Sequence, residues 1–265
     1  NFVGDDFTWL RWAADCGNVN IFGRCQPSVS TIVGYFTQAG GFFYRPGTKL
    51  YFLFMYTIFW LNQNAYHAVS LILHGVVAVL VFLLAKKVLK KLFLAAAAAI
   101  IFLMLSGYSE SVHWISATGF LFTAFFSLLS LLFYIAWEEK KKARYFAAAI
   151  AFFVLSLLFH ELGIVTPFLI ILYKGVFLET TSLRQLLSDR YYKLLLLPLP
   201  VYLIIRYLAH SHWLSGDYNY NFFRLPFNVV GNALGYFFLT LFGPISLPLY
   251  QLVRTGRKGH VTIAV

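Results

Sequence analysis

The residues of this chain best suited to chemistry are acids, histidines and an arginine, set between long apolar stretches. Two adjacent carboxylates, Asp5 and Asp6, stand near its beginning. Neighbouring carboxylates push each other's pKa values apart, so one can act as a base while the other orients a ligand. The side chains that we expect to meet them are those of Tyr44, Arg45, Glu110, His113, His160 and Glu161. Arginine in such a set suits a phosphate, because its planar guanidinium grips two oxygens at once.

The composition places this chemistry in a membrane protein. Of the 265 residues, 60% are hydrophobic and 12% are charged, whereas about 25% of residues in soluble domains are charged. The apolar runs are long and nearly free of charge, which indicates bilayer spans. The formal net charge of +11 falls in short clusters between those runs. That pattern is typical of cytoplasmic loops and gives no reason to expect a nucleic-acid partner.

The charge clusters predict how the chain crosses the bilayer. Four lysines follow the first long apolar run, and every later basic cluster then falls on the same, cytoplasmic side. The polar loops that lack Lys and Arg fall on the other side. The predicted spans are 65–85, 92–105, 117–137, 145–159, 164–178, 194–208 and 222–249.

The predicted fold is therefore all-α, a polytopic transmembrane helix bundle forming a single domain over 1–265. Residues 1–63 form a long external loop with an interfacial helix at 49–61, and 64–265 hold about seven spans. Because the chain opens inside a polar loop, we expect a preceding helix to be missing. Cys16 and Cys25, both in that loop, either pair in an oxidising compartment or remain thiols, since spacing does not fix their geometry.

The order of the polar motifs resembles that of the GT-C superfamily of membrane glycosyltransferases. The resemblance is nearest to protein O-mannosyltransferases and tetratricopeptide-containing transmembrane mannosyltransferases, and it covers roughly residues 1–180. The motifs are, in order, Asp5-Asp6-Phe7, Tyr44-Arg45-Pro46, His67 with His74, Glu110-Ser111-Val112-His113-Trp114-Ile115 and His160-Glu161-Leu162-Gly163-Ile164-Val165-Thr166-Pro167.

This resemblance implies transfer of a sugar from a polyprenyl-phosphate donor to a protein, lipid or glycan acceptor, with inversion at the anomeric carbon. It implies that Asp5 or Asp6 is the general base and that Arg45 holds the leaving phosphate. Glu110 would position the acceptor or a divalent metal; no cofactor is implied with certainty. Tyr44, His113, His160 and Glu161 complete the substrate- and phosphate-binding set. The expected place is the bacterial inner membrane with a periplasmic site, or the endoplasmic reticulum membrane with a luminal one.

One departure from the family pattern concerns the residue before Glu161. Lysine is common there in the family, and this chain has His160. A histidine is a cation for a phosphate only while it is protonated.

Simpler interpretations stay open for each motif. The aspartates could be solvated loop residues, and Arg45 an anchor at the lipid headgroups. Glu110 and His113 could cap a helix end, and His160 with Glu161 could be a local ion pair. Two further sets are open between a ligand role and helix packing or solvation: His67 with His74, and His210 with His212 and Asp217.

Three other functions compete with the transferase. A transporter or flippase for lipid-linked sugars should place polar groups on broken helices at mid-membrane. An enzyme like the O-antigen ligases should rely more on arginines in the external loops. A non-catalytic scaffold should leave Asp5 and Asp6 unpaired and exposed to water.

Overall fold

The computed structural model describes residues 2–15, 27–39, 43–105, 109–177, 189–211 and 225–242. Within these ranges the secondary structure is helical and includes no β-strand. The prediction of an all-α chain is confirmed for this part. Cys16 and Cys25 lie outside the described residues, so their pairing stays a prediction.

The described helices follow the apolar runs of the sequence, and lysines stand where the long ones end. They are α1 (Asp6–Ala14), α2 (Val29–Thr37), α3 (Pro46–Phe59), α4 (Gln63–Leu89), α5 (Leu92–Met104), α6 (Ser109–His113), α7 (Thr118–Lys140), α8 (Ala143–Phe159), α9 (Thr166–Phe177), α10 (Arg190–Leu196), α11 (Pro198–Leu208) and α12 (Leu225–Phe242). Short 3-10 helices at Ile115–Ala117 and Glu161–Val165 precede α7 and α9. Lys90 and Lys141 end α4 and α7 in the left-handed conformation, with φ of 55° and 51°, which reverses the chain into α5 and α8.

Among the residues that the structure describes, three helical stretches are long and apolar enough to cross a membrane: Gln63–Leu89, Ile115–Lys140 and Arg190–Leu208. The third is interrupted after Leu197, because Pro198 has no N–H to continue the helical hydrogen bonds. Membrane association is therefore supported by length and composition.

The other predicted spans are shorter as helices. α5 has 13 residues and α8 has 17, so at about 1.5 Å per residue α5 covers roughly 20 Å of a core about 30 Å thick. α9, with 12 residues, is shorter still. The number of seven spans stays a prediction.

Buried hydroxyl groups join the helices of the bundle. Ser130 Oγ, on α7, donates to the carbonyl oxygen of Ala149 at 2.8 Å, and Thr123 Oγ1 donates to that of Ser156 at 3.2 Å. Thr166 Oγ1 donates to Ser127 Oγ at 2.8 Å, which connects α9 to α7. Polar atoms in these helices therefore have partners inside the bundle, as an apolar surrounding requires.

Glycines permit the closest approaches. A Cβ on Gly163 would stand 2.7 Å from backbone atoms of Ser156 and Leu157, so the 3-10 turn before α9 lies directly against α8. A Cβ on Gly47 would stand 2.8 Å from the ring of Phe159. These contacts bring the first turn of α3, the end of α8 and the 3-10 turn before α9 to one end of the bundle.

Ion pairs collect at the opposite end of the same helices, which we call the lysine end: Lys87, Glu138, Glu139, Lys141, Lys174 and Asp189. Lys87 Nζ lies 2.8 Å from Glu139 Oε1, and Lys141 pairs with Glu138. Lys174 Nζ binds Asp189 and lies 3.6 Å from Glu138 Oε1. The basic clusters on α4, α7 and α9 thus do lie at one end, as the charge pattern predicts.

The described residues of the first segment pack as a small helical layer. Trp9 of α1 stacks on Phe52 of α3, with ring centroids 5.6 Å apart. Lys49 is buried and donates from Nζ to the carbonyl oxygens of Gln38 and Ala39, at 3.0 and 2.9 Å. Its ammonium also lies over the Trp12 ring, so one cation joins α1, α2 and α3.

The helix expected at 49–61 begins earlier, at Pro46, and ends at Phe59. Proline is favoured in the first turn of a helix, because its missing N–H would have no partner there. One face of α3 is buried against α1, α2 and α8, while Phe54, Ile58 and Phe59 are exposed. Its expected place at the membrane interface stays a prediction.

Candidate functional site

The two adjacent aspartates have opposite surroundings. Asp6 is fully buried, and its Oδ2 accepts the amide of Val3 at 2.9 Å. Its Oδ1 accepts both the amide of Ser116, at 2.7 Å, and the Ser116 hydroxyl. Asp5 precedes α1, is exposed, and makes no side-chain hydrogen bond to cap that helix. The structure therefore separates the pair into one anchored and one exposed carboxylate.

Ser116 connects Asp6 to the segment that holds Glu110 and His113. α6 carries both of these residues, and both are exposed. The two hydrogen bonds that Asp6 accepts from Ser116 fix α1 against the 3-10 turn that precedes α7, and a third, from the amide of Val3, holds the residues before α1. The sequence predicts that these motifs share one end of the bundle, and the structure places them there.

Arg45 and Glu161 form a two-point ion pair whose side chains are 12% and 25% exposed, although 116 positions separate them. Arg45 Nε donates to Glu161 Oε2 at 2.9 Å, and its Nη2 donates to Oε1 at 2.7 Å. Thr48 Oγ1, in the first turn of α3, donates to the carbonyl oxygen of Phe159 at 2.7 Å, which fixes α3 against the end of α8. The pair is thus held by the backbone contacts around it.

The arginine sets the ionisation of this glutamate. Burial alone would raise the pKa of Glu161, but the hydrogen bonds and charge of Arg45 outweigh burial and lower it to about 2. The Arg45 guanidinium also lies over the ring of Phe43, 4.1 Å from the centroid. A planar cation is therefore held on one side by a carboxylate and on one face by an aromatic ring.

His160 lies beside this ion pair as a neutral ring. Its Nδ1 accepts the amide of Leu162 at 3.1 Å and lies 3.7 Å from Glu161 Oε2. Burial is the main cause that lowers the pKa of His160 to about 4; the charges of Arg45 and Arg206 also lower it, and Glu161 opposes them. The phosphate role that needs a protonated His160 is therefore not supported at neutral pH.

Two residues near this group were not singled out by sequence reasoning. Arg206, near the end of α11, is buried, and its Nε donates to Ser211 Oγ at 3.2 Å. Tyr202 donates from its hydroxyl to the carbonyl oxygen of Tyr44 at 3.4 Å. The signal for Arg206 was present, because a charge inside an apolar run is costly unless it has a use.

Tyr44 serves the fold in this structure. Its side chain is buried, and its hydroxyl donates to the carbonyl oxygen of Phe36 at 3.0 Å, which joins α2 to the start of α3. The ring also packs on Tyr202, with centroids 5.8 Å apart. The contact of Tyr44 with a substrate stays a prediction. The geometry supports a different role, in which Tyr44 helps to position Arg45.

The candidate residues lie at one end of the bundle, which we call the arginine end: Asp6, Arg45, Ser116, His160 and Glu161. They form two groups there, Asp6 with Ser116 and Arg45 with His160 and Glu161. α1 runs antiparallel to α3, because Trp9 stacks on Phe52 and Lys49 lies over the Trp12 ring. This direction puts the aspartates beside the half of α3 that is remote from Arg45. Roughly 10 Å of helix separates Arg45 from Phe52.

The first turn of α7 lies between the two groups. Ser116 binds Asp6, and the Phe120 ring packs on that of His160 with centroids 4.2 Å apart. About 6 Å along the helix axis separates Ser116 from Phe120. Among the described residues, no hydrogen bond or ion pair joins the two groups directly.

The remaining candidates give no metal centre in the part of the chain that the structure describes. Within those ranges no three His, Cys, Asp or Glu side chains are grouped as metal ligands would be. His210 is exposed, while His212 and Asp217 lie outside the described residues. On α4, the His74 ring packs on Phe102 with centroids 5.0 Å apart, as the helix-packing interpretation expects.

Comparisons with protein-family models, with curated proteins and with solved structures found no match for this chain.

Proposed function

We propose that this chain is a membrane glycosyltransferase that moves a sugar from a polyprenyl-phosphate donor to an acceptor hydroxyl. The observation that supports this most is the half-buried, two-point Arg45–Glu161 pair at one end of an apolar helical bundle. Charged groups in such a place are costly unless they are paired and used. The pair fits the role of a fixed phosphate anchor.

The proposed anchor is Arg45, and Glu161 positions it. A guanidinium has five N–H groups, and the pair with Glu161 uses those on Nε and Nη2. The N–H groups on Nη1 make no hydrogen bond within the described part of the chain and are left for the phosphate of the donor lipid. Because the carboxylate fixes the plane of the guanidinium, Arg45 loses little conformational freedom when a phosphate arrives.

The general base in this proposal is Asp5. A base needs a free lone pair within reach of the acceptor hydroxyl, and the Asp6 carboxylate is buried and already accepts three hydrogen bonds. Asp5 is exposed at the beginning of α1. Asp6 is a positioning residue that holds α1 against the turn containing Ser116.

The proposed reaction is a single displacement. Asp5 takes the proton of the acceptor hydroxyl while the acceptor oxygen attacks the anomeric carbon. The bond from that carbon to the phosphate oxygen breaks, and polyprenyl phosphate leaves as an anion stabilised by Arg45. Direct displacement inverts the anomeric carbon. Glu110, exposed on α6, orients the acceptor in this scheme.

The test is transfer of a radiolabelled sugar from a polyprenyl-phosphate donor by purified Asp5→Asn and Asp6→Asn variants. We expect Asp5→Asn to lose 100-fold or more of the rate, within the range of about 10²–10⁴ for a general base, with its melting temperature unchanged. Asp6→Asn should lower the melting temperature instead, because the amide disturbs three buried hydrogen bonds.

Two outcomes would contradict the proposal. Full transfer by Asp5→Asn would remove the base assignment. Absence of any transfer by the wild-type chain, together with movement of an intact lipid-linked sugar across vesicle membranes, would favour the transporter. Glu139→Gln, at the lysine end, is the matched control for loss of an exposed carboxylate and should transfer normally.

A further inference from the structure

The two ring nitrogens of His160 are in different states. Nδ1 accepts the backbone amide of Leu162 at 3.1 Å, and a nitrogen that accepts a hydrogen bond cannot itself carry the proton. In the neutral ring the proton is therefore on Nε2, which becomes a donor. The short turn after α8 thus fixes both the orientation of His160 and its tautomer.

The Nε2 donor has no acceptor within the part of the chain that the structure describes, and it is buried. The His160 side chain is only 7% exposed. Buried donors nearly always have a partner, so an exception calls for a reason such as a ligand that supplies the acceptor.

The surroundings of His160 favour an anionic acceptor. The charged groups that face the ring are Arg45 before α3, Arg206 on α11 and Glu161 in its own turn. Glu161 is already bound at both oxygens by Arg45. Phosphoryl oxygens carry negative charge and accept hydrogen bonds from both guanidinium and imidazole N–H groups.

We propose that the Nε2–H of His160 donates a hydrogen bond to a phosphoryl oxygen of the polyprenyl-phosphate ligand, beside Arg45. This inference rests on the proposed function and deepens it. His160 acts as an uncharged donor, and the positive charge comes from arginine. At neutral pH the ring therefore binds the phosphate without having to gain a proton.

The Phe120 ring packs on that of His160, with centroids 4.2 Å apart, and Phe120 is 38% exposed. In this proposal the phosphate reaches Nε2 when the Phe120 side chain turns away from the imidazole.

The experiment compares His160→Gln with His160→Asn, because the two amides reach different positions of the imidazole. Counted in bonds from Cβ, the glutamine amide nitrogen replaces Nε2, and the asparagine amide replaces Nδ1. His160→Gln keeps the proposed donor, whereas His160→Asn keeps an acceptor for the Leu162 amide and loses the donor.

The measured quantity is the affinity of each purified protein in micelles for farnesyl phosphate, with farnesol as the probe that lacks the phosphate. We expect the Gln variant to stay within about threefold of wild type. The Asn variant should bind about 10- to 100-fold more weakly, as for a lost hydrogen bond to a charged group. Farnesol should bind all three proteins equally weakly, and Phe120→Ala should speed association of farnesyl phosphate.

Two results would contradict different claims: the donor role of His160, or the phosphate site as a whole. If wild type prefers farnesyl phosphate to farnesol and the Asn variant binds it equally well, the donor role of His160 is wrong while the proposed function stands. If wild type shows no preference for farnesyl phosphate over farnesol, the phosphate site is wrong, and the proposed function falls with this inference. We expect the melting temperatures of both variants to stay near that of wild type. Weak binding by an Asn variant that is unfolded would contradict the expectation that only the donor is lost.

Discussion

The two ends of the bundle each bury a cation, but they treat it differently. At the lysine end, Lys174 contacts two carboxylates, Asp189 and Glu138, and Tyr134 donates its hydroxyl to Glu138 at 3.0 Å. Hydrogen bonds from Lys174 and from the amide of Tyr191 lower the pKa of Asp189 although burial opposes them. Neighbouring carboxylates therefore balance the charge of the buried Lys174, as expected of an ion pair that supports the fold.

At the arginine end, the charged groups around His160 are two arginines and one acid, and a buried donor has no partner within the described ranges. Arg206 is buried, Arg45 is 12% exposed beside Glu161, and the donor that lacks an acceptor is the Nε2 of His160. Groups that only stabilise a fold are expected to be satisfied within it. The contrast between the ends is our reason to assign ligand binding to one and structure to the other.

The largest expected effect is that of Arg45→Ala. It removes the phosphate anchor and leaves Glu161, whose side chain is 25% exposed, without its cation. Breaking a buried ion pair typically costs about 3–5 kcal/mol of stability. We expect transfer to be lost and the melting temperature to fall. Arg45→Lys should recover part of the stability but little transfer, because an ammonium cannot make the two-point contact.

A double variant separates these two losses. Arg45→Gln with Glu161→Gln replaces the ion pair with two amides and removes the unpaired charge. Its melting temperature should return toward that of wild type while transfer stays absent. Recovered transfer would show that Arg45 only supports the fold.

The matched change at the other end is Lys174→Met. It leaves Asp189 and Glu138 without their buried cation, so we expect a loss of similar size, about 3–5 kcal/mol. Transfer per folded molecule should be unchanged. A specific loss of transfer at unchanged melting temperature would reverse the assignment of the two ends.

Acid should weaken the arginine end in two steps. The folded-state pKa of His160 is about 4 against an ordinary 6.5, so the unfolded chain binds the proton first, and this contribution to stability is lost as pH falls from 6.5 to 4. The folded-state pKa of Glu161 is about 2 against 4.5, so its contribution disappears between pH 4.5 and 2.

The measurement is the melting temperature between pH 7.5 and 4 for wild type and for His160→Gln. The free energy of unfolding of wild type should fall by about 2–3 kcal/mol through His160. That of the Gln variant should fall much less over the same pH range. An equal fall of the melting temperature with pH in the two proteins would contradict the burial of a neutral His160.

The smallest expected effect tests the packing that positions the site. Gly163→Ala places a methyl group 2.7 Å from the backbone of α8, and such overpacking costs about 1–3 kcal/mol. Gly75→Ala, on α4, meets nothing within 4 Å and should be neutral or stabilising by up to about 1 kcal/mol. Equal melting temperatures for the two variants would contradict the close approach of the 3-10 turn at Gly163 to α8.

What the sequence predicted well was local. The apolar runs and the lysines that end them predicted the helices and the end at which the basic residues collect, because burial and charge act on neighbouring residues. Described polar residues of the loops, such as Asp6, Arg45 and Glu161, lie at the opposite end. The length of each helix was harder to predict, since a break such as that before Pro198 depends on a single missing N–H.

What the sequence left unresolved was long-range. Asp6 is an anchor because Ser116 reaches it from 110 positions away, and no local pattern distinguishes it from Asp5. The neutral state of His160 follows from its burial and from Arg45 and Arg206, which three separate segments bring together. Lys49 likewise finds its carbonyl partners only after α2 and α3 have packed.

The central claim is that the arginine end faces away from the cytoplasm and binds the donor there. Labelling with a membrane-impermeant maleimide tests it directly, in a Cys16→Ser, Cys25→Ser background with one added cysteine. Phe7→Cys, at a position 59% exposed beside the aspartates, reports on this end. Lys141→Cys, whose lysine is 64% exposed, reports on the other. We predict labelling at position 7 in intact cells, slowed by a polyprenyl-phosphate sugar, and at position 141 only after permeabilisation; the opposite accessibility of the two positions would contradict the claim.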